Sequence, residues 1–212
     1  FVLFSPLFLI DSSVFLPYAP TTLLNLVFAY GYLRGDRNNN ILYGGIAGVS
    51  IGLAFFSRPY TAVLFGIPFI IHAIWTLYTD FYINLWRQIV TGFFGILGVV
   101  VAFLYNFFMT GSPWIFPYQA FAPLDGLGFG QRRIMGHEVF YTLELGLHVN
   151  IKVVELFFTE WVTGGVFGFV FVIIGLIYTF SRNISPYKGI IAGLFISIIC
   201  GNVYFWGNFN IL

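Results

Sequence analysis

Long apolar runs separated by short polar breaks make up most of the chain. The apolar segments are Thr21–Leu33, Ile41–Phe56, Thr61–Tyr78, Ile89–Met109, Val162–Phe180 and Gly189–Trp206, and Phe1–Ile10 reads as the end of a further helix. Counted from Val14, the first of these reaches the roughly 20 residues that a helix needs to cross a bilayer. Length and hydropathy together predict about seven crossings. Between them lie Asp11–Pro20, a break carrying Pro17 and Pro20, then polar loops at Arg34–Asn40, Ser57–Tyr60, Asp80–Gln88 and Ser181–Lys188. Ile41–Phe56 is rich in glycine, the composition of a helix that packs closely against another in lipid.

One interruption is long. Thr110–Glu160 opens with Pro113 and Pro117, which end the preceding helix, and continues through a turn-rich Pro123–Gly130. From His137 the pattern changes. Polar Tyr141, Glu144, His148, Lys152, Glu155 and Thr159 recur every three or four residues, as do apolar Phe140, Leu143, Leu147, Ile151, Val154 and Phe158. That periodicity predicts an amphipathic helix, or two in line with a kink at Gly146, lying along a membrane surface. The expected fold is therefore an all-α integral membrane protein in which residues 1–212 belong to one polytopic domain. Within it, 110–160 form an extracytoplasmic loop with an interfacial helix.

Composition supports the membrane reading. The chain is 59% hydrophobic and 8% charged, whereas soluble domains carry about 25% charged residues. A net charge of +1 implies no nucleic-acid or other polyanion partner. The single cysteine, Cys200, excludes a disulfide framework and a cysteine metal site. The chain opens and stops within apolar sequence and shows no basic leader segment, so it reads as an internal fragment of a longer protein. Short loops at 34–40, 80–88 and 181–188 share one side and carry Arg34, Arg37, Arg87, Arg182 and Lys188, which makes that side cytoplasmic. The break at Asp11–Pro20, the Ser57–Tyr60 turn and the long stretch then share the outer face.

That face collects the candidate chemistry. Arg58, next to Pro59 and Tyr60, is a cation between two spans on the side where cations are scarce; it can hold a phosphate or simply snorkel. Arg132 and Arg133 can grip phosphate in bidentate fashion or touch ordinary lipid headgroups. Asp11 can act as a base, a metal ligand or a partner of Arg58, or cap the following helix. His137 and Glu138 form a candidate acid/base pair, and Glu144 and His148 lie four apart. A divalent metal is an open question at these residues, but there is no His-Glu-x-x-His motif, phosphate loop or dinucleotide fingerprint. No organic cofactor is implied. His72, inside a span, reads as a hydrogen-bonded packing residue.

Three stretches carry a resemblance to a known family. They are SPLFLIDSSVFLPYAPTTLLNLVFAYGYLR, GGIAGVSIGLAFFSRPYTAVLFGIPFII and YNFFMTGSPWIFPYQAFAPLDGLGFGQRRIMGHE. In this order and spacing the chain resembles the polytopic glycosyltransferases of the GT-C class. The likeness is to the family-39-like group of protein O-mannosyltransferases and lipid A aminoarabinose transferases. The resemblance implies transfer of a sugar from a polyprenyl-phosphate carrier to a glycan, lipid or protein acceptor at the outer face of a prokaryotic cell membrane. It implies a cationic phosphate pocket, for which Arg58, Arg132 and Arg133 are the candidates, with Tyr60, His137, Glu138 and Asp11 beside them. The family's acidic catalytic motif has no match here and is expected upstream of Phe1. Where relatives carry His or Asp before the second span, this chain reads Pro17-Tyr18-Ala19-Pro20. The competing expectation is a transporter or flippase for a lipid-linked or small polar solute, which broken helices and intramembrane charges also suit.

Overall fold

The computed structural model describes residues 18–125, 127–134, 137–157, 159, 166–181 and 187–205. In chain order these form helices α1 (Tyr18–Asn38), α2 (Ile41–Ser57), α3 (Pro59–Thr79), α4 (Phe81–Thr110) and the short α5 (Pro117–Phe121). A 3-10 turn (Pro123–Asp125) and strands β1 (Gly130–Ile134) and β2 (His137–Tyr141) follow, then α6 (Leu143–Leu156), α7 (Val166–Ser181) and α8 (Lys188–Asn202). The described residues fall into two compact units, one up to Pro117 and the other from Tyr118.

The first unit is built from α1 to α4. α1 and α2 pack antiparallel: Thr21 Oγ1 and Ser57 Oγ hydrogen-bond at 2.9 Å near one end, and Gly35 lies against Tyr43 near the other. α4 runs parallel to α2 along a seam of small residues. A Cβ on Gly48 would stand 2.5 Å from the Thr91 carbonyl oxygen, so only glycine permits this approach. Thr91 Oγ1 donates across the same seam to the Gly44 carbonyl at 3.1 Å. α3 closes on α1 through aromatic rings, Phe28 to Phe69 at 4.8 Å and Tyr32 to Phe69 at 5.2 Å between centroids. Farther along, α3 and α4 diverge around an apolar groove of about 450 Å³.

Among the described residues two helices are long and apolar enough to cross a membrane, Pro59–Thr79 and Phe81–Thr110. Only 6% of the most apolar window of α4 is buried within the protein. The core helix of a water-soluble domain would be mostly covered, so this surface calls for an apolar environment.

Several boundaries differ from the sequence expectation. Arg34–Asn38 is not a loop but the last turn of α1; the connection shrinks to Asn39 and Asn40. Asn39 takes a left-handed φ of 46°, the Asn40 amide closes back on the Gly35 carbonyl at 3.1 Å, and Asn40 Oδ1 caps α2 through Leu42 N at 2.9 Å. Asp80–Gln88 is not a loop either: Asp80 alone separates α3 from α4. The reason is the same in both places, because Asp36 and Arg87 pair with each other at 2.5 Å across the helices instead of facing water.

The described residues are mostly helical, as expected, and the second unit adds one two-stranded hairpin. Residues 137–141 are not the start of the amphipathic helix but strand β2, paired antiparallel with β1 in the register Gly130↔Tyr141 through Ile134↔His137. The helix begins at Leu143, where Thr142 Oγ1 accepts from Leu145 N at 3.2 Å. Tyr141 ends β2, wholly buried, and donates its hydroxyl to the Val203 carbonyl at 2.9 Å just past α8. Asn150 Nδ2 donates to the Ile199 carbonyl at 3.0 Å, which fixes α6 to α8. Phe129 stacks on Tyr141, centroids 5.8 Å apart, and meets Tyr204 edge-on at 5.3 Å.

Candidate functional site

The structure distributes the sequence candidates over both units. Arg58 and Tyr60 belong to the first. Ser57 ends α2 and Pro59 takes the first position of α3, where a missing N–H is harmless and a fixed φ is already helical. Arg58 links the two helices, its N–H bonding the Ala54 carbonyl at 2.8 Å and its carbonyl accepting from Ala62 N at 3.0 Å. The guanidinium carbon lies over the Tyr18 ring, 3.8 Å from the centroid. Among the described residues no hydrogen bond or ion pair occupies its N–H edge. Tyr60 stands in the first turn of α3. Asp11, for which the sequence left open a base, a metal ligand, a partner of Arg58 or a helix cap, lies outside the described residues.

Arg132, Arg133, His137 and Glu138 belong to the hairpin of the second unit. Arg132 directs most of its donors inward to its own loop. Its Nε donates to Gly128 O at 3.1 Å, Nη1 to Gln131 O at 2.8 Å, and Nη2 to Leu127 O at 2.7 Å and Phe129 O at 3.2 Å. A guanidinium has five N–H donors, and four carbonyls already engage this one. Its work is to gather the carbonyls of the loop that leads into β1. Arg133 is different: it is 60% exposed and faces Glu138 across the strands at 3.7 Å. An exposed pair of this kind contributes about 0–1 kcal/mol, so Arg133 remains available to other anions. His137 opens β2 opposite Ile134. Glu144 and His148 lie on the exposed side of α6, and Lys152 pairs with Glu155 at 3.2 Å. Among the described residues no group of three His, Cys, Asp or Glu is placed to hold a metal ion. Burial pushes the Tyr141 phenol above its ordinary range.

A second polar cluster lies in the first unit, and the sequence pattern gave it away only in part. Arg87 is 1% exposed, paired with Asp36 and bonded through Nη2 to Asn84 Oδ1 at 2.8 Å. Its guanidinium carbon is 5.5 Å from the Tyr32 ring centroid. Tyr32 Oη in turn meets His72 Nδ1 at 2.9 Å and accepts from Gln88 Nε2 at 3.3 Å. His72 is thus the hydrogen-bonded packing residue its place in a span suggested. The available signal was Asn84, Arg87, Gln88 and Thr91 at helical spacing, visible once the chain after Asp80 is read as helix.

Comparison with protein-family models, with curated proteins and with solved structures finds no match to this chain.

Proposed function

We propose that the chain is part of a multi-pass glycosyltransferase of a prokaryotic cell membrane. It moves a sugar from a polyprenyl-phosphate carrier to an acceptor at the extracytoplasmic face. The observation that carries this reading is Arg58: a cation at a tight turn between two apolar helices, its guanidinium carbon over the Tyr18 ring and its N–H donors uncommitted among the described residues. A guanidinium with donors to spare at the end of apolar helices suits the phosphate of a lipid whose chain lies in the bilayer. In the transfer step the acceptor oxygen or nitrogen forms a bond to the anomeric carbon as the carbon–oxygen bond to the carrier phosphate breaks, and the acceptor's proton passes to a general base. The bonding electrons leave with the phosphate, and a fixed guanidinium stabilises that growing charge. The α1–α2 and α3–α4 turns lie at the other end of this unit, where Arg34 and Arg37 sit. By the positive-inside rule this distribution supports an outer position for Arg58, even with the buried Arg87 removed from the count.

The test uses the full-length protein in membranes supplied with a labelled polyprenyl-phosphate sugar. Label transfer is expected in the wild type, to fall roughly 100-fold in Arg58→Ala, the scale for losing one oxyanion donor, and to recover partly in Arg58→Lys. Transfer unchanged by Arg58→Ala with normal insertion would remove the phosphate assignment. No transfer from any donor would turn the reading toward transport, which the buried Asp36–Arg87–Tyr32–His72 cluster independently favours because ionisable groups among apolar helices often mark solute paths. Uptake in proteoliposomes distinguishes the two.

A further inference from the structure

The groove between α3 and α4 has an apolar wall and a polar foot. α3 contributes its surface from Ala62 to Leu77 and α4 from Gln88 to Val99. At 1.5 Å per residue that stretch of α3 is roughly 22 Å long, more than one leaflet's ~15 Å share of the ~30 Å hydrocarbon core. Its volume of about 450 Å³ falls in the range of small-molecule sites. The polar side chains on its wall are Tyr32, Gln88 and Thr91, all uncharged and all toward the α3–α4 turn. Gln88 spends its amide N–H groups on Tyr32 Oη at 3.3 Å and Thr76 Oγ1 at 3.4 Å. Its carbonyl oxygen receives no hydrogen bond among the described residues. An acceptor left open at the foot of an apolar groove asks for a donor on the occupant. Behind the foot, Arg87 and Asp36 neutralise each other, so no net charge invites a phosphate. A hydrocarbon chain ending in a hydroxyl matches both wall and foot.

We propose that this groove binds a single-chain lipid alcohol, its hydrocarbon along α3 and α4 and its hydroxyl donating to Gln88. The site is separate from the Arg58 turn and depends only on α3 and α4 lying in a bilayer.

The test uses purified full-length protein in nanodiscs and a long-chain alcohol with a diazirine in its tail. Gly92 lines the groove, and a Cβ there would meet nothing within 4 Å, so Gly92→Leu fills the space without disturbing the fold. Photolabel is expected on peptides from α3 and α4. Hexadecanol should compete it away at roughly one-fifth the concentration needed for hexadecyl phosphate, the ratio expected from one net hydrogen bond. Gly92→Leu should abolish labelling, Gln88→Ala should erase the preference for the alcohol, and Arg58→Ala should leave labelling intact. Any of three results would overturn the proposal: equal competition by the phosphate, labelling that persists in Gly92→Leu, or no groove labelling because another segment covers it. Labelling and sugar transfer are read separately, so an empty groove with active transfer leaves the enzyme reading standing, and a labelled groove without transfer does the reverse.

Discussion

The residues that matter most in this protein are arginines in three different circumstances. Arg132 directs N–H donors to four loop carbonyls, Arg87 is buried against Asp36, and Arg58 lies over an aromatic ring with its donors uncommitted among the described residues. Chemistry at identical side chains therefore follows from what each has already spent. For the buried pair this has a measurable consequence. Removing Asp36 leaves a positive charge enclosed by protein, with Nε and Nη1 already lacking partners among the described residues, and such a deletion costs about 3 kcal/mol. Asp36→Ala is expected to lower the thermal midpoint in detergent markedly. The double change Asp36→Leu with Arg87→Met should recover most of the loss, because paired hydrophobic replacements avoid the stranded charge. A double variant no more stable than Asp36→Ala would show that the pair contributes more than mutual neutralisation.

Among the elements, the seam between α2 and α4 decides how the first unit packs. At Gly48 an added Cβ would lie 2.5 Å from the Thr91 carbonyl oxygen and 2.8 Å from the Phe94 Cβ. Because backbone cannot step aside as a flexible side chain can, Gly48→Ala is expected to destabilise by about 1–3 kcal/mol through overpacking. Gly92→Ala, on α4 and facing open space, should be neutral or slightly stabilising from helix propensity. Thermal unfolding of the two variants side by side separates a packing effect from a propensity effect. Equal midpoints would mean that α2 and α4 can separate without loss.

Across the whole molecule, the two units are held by different means. The first relies on small-residue seams and aromatic contacts, while the second hangs its hairpin and α6 on the end of α8 through Tyr141, Gly128 and Asn150. Tyr141 gives the second unit a pH dependence. Burial raises its folded pKa above the ordinary value near 10. Below about pH 10 the phenol is protonated in both folded and unfolded chains, so its stabilisation is fully present. As pH rises through the folded pKa, ionisation favours the unfolded state and that stabilisation is lost. Hydrogen exchange of β1 and β2 should therefore accelerate above pH 10 beyond the intrinsic rate. In Tyr141→Phe this extra acceleration should disappear while the ring contact to Phe129 persists; an unchanged profile would place the titration elsewhere.

The sequence by itself determined that long apolar helices dominate, where α2 and α3 lie, and that Arg58 stands at the turn between them. Hydropathy and proline act locally, so they can be read residue by residue. Tertiary structure alone decided that Arg34–Asn38 and Phe81–Gln88 are helical, because their charges are satisfied by partners about fifty positions away that no local pattern displays. It likewise decided that 137–141 form a strand. Phe140 and Tyr141 fit a helical period as well as an alternating one, and only pairing with β1 and the burial of Tyr141 against Val203 chooses between them. The fate of Arg132 was hidden for the same reason: sequence shows that a guanidinium is present, and only the fold shows where its hydrogen bonds go.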